Sequence, residues 1–115
     1  MGYRETIQQM FNDGLGDMEK ITDLGGRKHG YGSWKDKDNP SLQHKANCAS
    51  IMRHLAHFTL DPSEIDPESG VAHGLSAAWR ILAAYERIQL GIDKKPSRFD
   101  VCTSSLVGGD EQAVS

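Results

Sequence analysis

The first two dozen residues place apolar side chains at Ile7, Met10 and Phe11 and then at Leu15, Met18, Ile21 and Leu24, mostly three or four apart. That spacing follows one face of an α-helix. It predicts two short helices divided at Asp13-Gly14-Leu15-Gly16, where glycine lowers helix propensity and Asp17 can accept from the first free amides of the next turn. The second helix is expected to stop at Gly25-Gly26. Glycines, an Asn-Pro pair and alternating charges then fill Arg27 to Pro40, which predicts a connection long enough to suggest a functional loop.

A helical period returns over 44–59. There Cys48, Ile51, Met52, Leu55 and Phe58 form an apolar stripe, on which Cys48 reads as a core residue, and the opposite side carries a polar column of Asn47, Ser50, His54 and His57. Two Asp-Pro pairs then mark a turn, after which Glu68 or Ser69 is placed to begin the next helix. That helix has the strongest pattern. Val71, Leu75, Ala78, Leu82 and Tyr85 recur at alternating steps of four and three, Trp79, Ile81 and Ile88 broaden the stripe, and Gly91 is the expected end. Trp79 and Tyr85 are expected in the core. The polar run that follows has little apolar periodicity, so the chain divides into a helical domain over 1–92 and a tail over 93–115. No window alternates as a strand would.

The expected fold is therefore all-α: a small bundle of three to four helices, in which a hairpin of 44–59 and 69–90 is covered by the helix at 17–25 and the short first one. At ~25 cal/mol per Å² of apolar burial, a core this thin comes close to break-even against chain entropy. A homodimer or tetramer sharing the stripe of the long helix is expected to complete it.

Composition narrows the function. The chain has 115 residues, room for one domain, and 25% charged residues, an ordinary share for a globular protein. Thirteen basic against sixteen acidic residues leave a net charge of −3, which argues against sequence-independent nucleic-acid binding. No apolar run approaches a membrane span, and the amino terminus lacks the pattern of a secretory signal. Two cysteines, Cys48 and Cys102, are too few for a disulfide scaffold. Reduced thiols and a cytoplasmic location are expected.

Charge is distributed unevenly. Arg27, Lys28, Lys35, Lys37, Lys45 and Arg53 lie before or within the 44–59 helix, and Asp61, Glu64, Asp66 and Glu68 follow it closely. A polyphosphate held through a divalent cation needs both signs, carboxylates for the cation and Lys or Arg for the phosphoryl oxygens. Tyr31 or Trp34 offers a surface on which a base can stack. A solvated loop and a solvated turn account for the same charges without any ligand. An antiparallel hairpin, however, would bring His54 and His73 beside Asp66 and Glu68, and imidazole either ligates a metal or moves a proton near neutral pH. His44 and His57 read as ordinary surface residues.

Gly25-Gly26-Arg27-Lys28-His29-Gly30 with Ser33-Trp34, then Arg53-His54-Leu55, then Asp66-Pro67-Glu68-Ser69-Gly70 with His73 follow one another in a fixed order. In that order and spacing, over about residues 15–90, the chain resembles the phage and prophage dATP/dGTP diphosphohydrolase N-terminal domain family. Members are small all-α proteins related in spirit to MazG-like pyrophosphohydrolases. The resemblance implies hydrolysis of a purine deoxynucleoside triphosphate to monophosphate and pyrophosphate, with Mg²⁺ or Mn²⁺, in a host cytoplasm. In that reading Asp66 and Glu68, with Glu64, hold the metal; Lys28 and Arg53 grip phosphates; His54 and His73 orient or deprotonate water; and Trp34 or Tyr31 faces the base. The family commonly has Tyr at position 29, Asn at 33, a second histidine at 76 and Asn at 80, where this chain has His29, Ser33, Ser76 and Arg80. Arg80 favours holding an anion, which supports an alternative: a catalytically inactive module that binds a nucleotide or a host protein on the same scaffold.

Overall fold

The computed structural model describes residues 2–94, and among them four α-helices carry the fold: α1 (Tyr3–Met10), α2 (Asn12–His29), α3 (His44–Leu60) and α4 (His73–Gln89). Short 3-10 turns occupy Ser33–Lys35 and Pro40–Leu42, and among the described residues the one extended pairing is an isolated bridge between Ile65 and Ala72. The all-α expectation holds. The tail expected beyond residue 92 lies, past Lys94, outside the described residues.

The break between the first two helices falls at Phe11, not at the glycines. Continuing into α2, the chain stays helical through Gly14, Gly16 and Gly25-Gly26, and Asp17 pairs with Lys20 at 3.4 Å inside the helix instead of capping it. Gly25-Gly26 does not end α2. The stop comes at Gly30, whose φ of +91° suits glycine, and Arg27, Lys28 and His29 in the last turn complement the negative end of the helix dipole. Gly26 serves another purpose: the ring of Tyr31 lies where its Cβ would be, and the Tyr31 hydroxyl donates to Asp23 at 2.9 Å.

α3 and α4 form an antiparallel hairpin, with His54 opposite His73 and Asn47 opposite Arg80. The connection is drawn tight by backbone bonds from Asp66 N to Val71 O and from Gly70 N to Asp66 O, both 2.8 Å, and Gly70 takes a φ of +77° to close it. α4 consequently begins at His73, later than Glu68 or Ser69. Against this hairpin pack α2, through Leu75 beside Gly14 and the Trp79 indole N–H donating to Thr22 Oγ1 at 2.8 Å, and the loop after α2. Arg87 fixes that loop. Its guanidinium is fully buried, donates to the carbonyls of Trp34 (2.6 Å) and Asp36 (2.9 Å), and forms a two-point pair with Asp93.

The faces of the hairpin differ from the sequence expectation. Of the α3 stripe only Ile51 is buried, whereas Asn47 and Ser50 from the polar column are; Met52, Leu55 and Phe58 are exposed and Cys48 half-buried. On α4 the buried residues are His73, Ser76, Ala77, Ala83, Ala84 and Arg87, while Ile81, Leu82 and Tyr85 are exposed. Tyr85 is therefore no core residue, and Trp79 is only half-buried. Polar groups can turn inward because they find partners: Asn47 Nδ2 donates to the Arg80 carbonyl, and Arg80 Nη1 donates back to Asn47 Oδ1, both at 2.9 Å.

Candidate functional site

Where α3 and α4 approach the turn between them, three imidazoles and two carboxylates converge. His54 Nδ1 lies 2.9 Å from His73 Nδ1, and Asp66 completes a group whose ligand atoms all lie within 4.8 Å of one another. With bonds of about 2.1 Å, cis ligands of an octahedral cation stand roughly 3.0 Å apart, so the two nitrogens have the spacing of ligands to one ion. At that distance at most one Nδ1 carries a proton, which it donates to the lone pair of the other. Burial pushes the His54 pKa down, which Asp66 partly offsets and His73, Arg80 and Arg53 reinforce, so the neutral, ligating form is favoured.

Asp66 is held in place. Its Oδ1 accepts from the Glu68 amide at 3.1 Å, and its Oδ2 accepts from Ser69 Oγ at 3.3 Å and from Ser76 Oγ at 3.5 Å. On the other side of His73, the His57 ring stacks at a centroid distance of 4.3 Å, and Glu64 bonds His57 Nδ1 at 3.2 Å while standing 3.9 Å from His73 Nε2. His57 is exposed and hydrogen-bonded, as an ordinary surface residue would be, and its stacking on His73 adds it to the cluster. A signal was available: on an antiparallel hairpin the residue three after His54 falls near the same turn.

His54 and Asp66 also line a cleft of about 640 Å³ between α2, the loop after it and the hairpin. That volume falls within the range of small-molecule sites. Its walls include Lys28, Trp34, Glu68, Trp79 and Arg80. The chain has two tryptophans, and both are here. Arg80 donates to the Ser41 carbonyl (3.2 Å) as well as to Asn47; burial and Arg53 lower its pKa, Glu68 and Asp66 offset this, and the guanidinium stays charged.

The expected site residues therefore separate. Lys28, Trp34, His54, Asp66, Glu68 and Arg80 meet in the cleft, with His73 behind His54. Tyr31, bonded to Asp23, and Arg53, exposed on α3, are not among the lining residues, and Glu64 belongs to the His57 side of the cluster. Trp79 and Asn47 were not foreseen as site residues. The indole reaches the cleft because Thr22 anchors its N–H, and Asn47 holds Arg80 from both ends of its amide.

The described residues thus form a small all-α protein in which a histidine and carboxylate cluster opens on a cleft lined by two indoles and two cationic side chains. The family described as dATP/dGTP diphosphohydrolase, N-terminal, matches residues 4–96, and the chain belongs to it. Comparison with curated proteins and with solved structures gave no match.

Proposed function

We infer that the protein hydrolyses a purine deoxynucleoside triphosphate, dATP or dGTP, to the monophosphate and pyrophosphate. The observation that carries this reading is the convergence of Lys28, Arg80, two indoles and the His54–Asp66 edge of the histidine cluster on one cleft. In this reading Trp34 and Trp79 stack on the base, and Lys28 and Arg80 neutralise phosphate oxygens. His54, Asp66 and His73 would hold a divalent cation. Two imidazoles and one carboxylate suit Mn²⁺ or a later first-row ion better than Mg²⁺, which prefers oxygen ligands and retains its water. A bound ion would offset phosphate charge and lower the pKa of water. In the hydrolysis a water oxygen forms the new bond to the α-phosphorus as the bond to the bridging oxygen breaks, pyrophosphate leaves with that electron pair, and the proton of the water passes to solvent.

A second reading has its own observation. Ser76, where the family commonly has histidine, bonds to Asp66, so this chain lacks an imidazole at the place where a further ligand would stand. Binding without turnover would then be the function, with a nucleotide or a host protein as the partner.

Because both tryptophans line the cleft, indole fluorescence reports its occupancy. Titration with dATP and dGTP in Mn²⁺ is expected to quench it saturably, and chromatography of the same mixtures to show monophosphate and pyrophosphate. Quenching without product supports the second reading; the absence of both signals defeats hydrolysis and nucleotide binding and leaves the second reading only a protein partner.

A further inference from the structure

The α3–α4 hairpin is a two-helix layer with unlike faces. At about 100° of rotation per residue, Cys48, Met52, Leu55 and Thr59 lie about a quarter turn from the line of α3 that meets α4. Ala78, Ile81 and Tyr85 lie to the same rotational side on α4, with Leu82 at its outer edge, and in an antiparallel pair equal rotations point to the same face of the layer. The opposite face carries His54, Ser76, Trp79 and Arg80, and it is covered by α2 and the loop that build the cleft. The first face is covered by no other described element. Met52 is 51% exposed, Leu55 39%, Ile81 49%, Leu82 55% and Tyr85 60%.

We propose that this face is the interface of a homodimer, in which two copies stack hairpin on hairpin to form a four-helix bundle with the two clefts turned outward. The eight residues that form the face include no ionised side chain, and Lys45 borders it at the start of α3. Two chains of net charge −3 can therefore meet there without bringing like charges together. Five large side chains, each about half exposed, present on the order of 500 Å² of apolar surface per copy, and with their small neighbours two such faces reach the lower range of stable interfaces, ~1,200 Å². The need for a permanent cover is equally plain. The buried apolar residues among those described are Leu42, Ile51, Val71, Ala77, Ala83 and Ala84, half of them alanine, alongside as many buried polar ones. A core of this kind gains most from a partner present whenever the chain is, and a second copy meets that condition. Stacked two-helix layers related by a twofold axis are a regular way to complete such a core.

Sedimentation of the full chain at tens of micromolar tests the proposal. The expected result is twice the 12.7 kDa chain mass, with Leu82→Glu and Tyr85→Lys each shifting the protein to monomer and Glu19→Gln on α2 leaving it unchanged. Should either interface variant lose its helical circular dichroism, the wild-type melting temperature decides: it rises with protein concentration for a dimer that folds as it assembles and stays constant for a monomer. A monomeric mass with a concentration-independent melting temperature overturns the proposal and leaves this face to residues 95–115 or to a different protein. A dimer that survives both substitutions overturns it too, by placing the interface elsewhere.

Discussion

His54 Nδ1 and His73 Nδ1 lie 2.9 Å apart across the antiparallel pair of α3 and α4, with Asp66 beside them on the connecting turn. Removing one of these imidazoles breaks the set. His73→Ala is expected to weaken Mn²⁺ binding at least about tenfold, since losing even a supporting partner of a metal ligand commonly costs 10–100-fold. Electron paramagnetic resonance titration of free Mn²⁺ checks this; equal affinity in the variant would remove His73 from the site.

Proton linkage at His54 has a definite sign. Burial, the largest influence, lowers its pKa in the folded protein below the ordinary 6.5. Above pH 6.5 both folded and unfolded chains hold it neutral and it imposes no penalty. As pH falls below 6.5 the unfolded chain takes up a proton that the fold resists, so stability declines until the folded-state pKa is passed. Urea unfolding of the metal-free protein between pH 7.5 and pH 5 should show that decline, and His54→Gln should flatten part of it. An identical profile in the variant would exclude His54 as its source.

Arg87 is the strut between α4 and the loop that carries Trp34. Arg87→Ala leaves Asp93, itself largely buried, without its cation and two carbonyls without donors, and is expected to cost about 3 kcal/mol or more. The same change should weaken nucleotide binding, because Trp34 loses the backbone anchor that holds it at the cleft. Urea midpoints and fluorescence titrations measure the two effects separately.

Trp34→Ala keeps Arg87 and its backbone partners yet removes one stacking surface. A stacked base is worth about 1–3 kcal/mol, so nucleotide affinity should fall roughly 5- to 150-fold with little change in stability. An affinity within twofold of wild type would place the base elsewhere in the cleft.

The positions of α3 and α4 were legible because their apolar period is strong and their ends carry turn chemistry. Their orientation was not. Periodicity locates an apolar stripe but does not say which neighbour covers it, and here the polar column turns inward because Asn47 and Arg80 satisfy each other across the hairpin. Gly25-Gly26 misled for a related reason: glycine makes room for the Tyr31 ring as readily as it ends a helix. The meeting of His54, Asp66 and His73 followed from the hairpin alone. Arg87 could not be foreseen, since two of its partners are backbone carbonyls more than fifty residues away.

The most direct measurement is incubation of the purified protein with dGTP and with dATP in Mn²⁺, alongside His73→Ala, followed by anion-exchange separation of products. The account predicts monophosphate together with pyrophosphate from the wild type and a large loss in the variant. Absence of product, release of inorganic phosphate in place of pyrophosphate, or undiminished turnover by His73→Ala would contradict it.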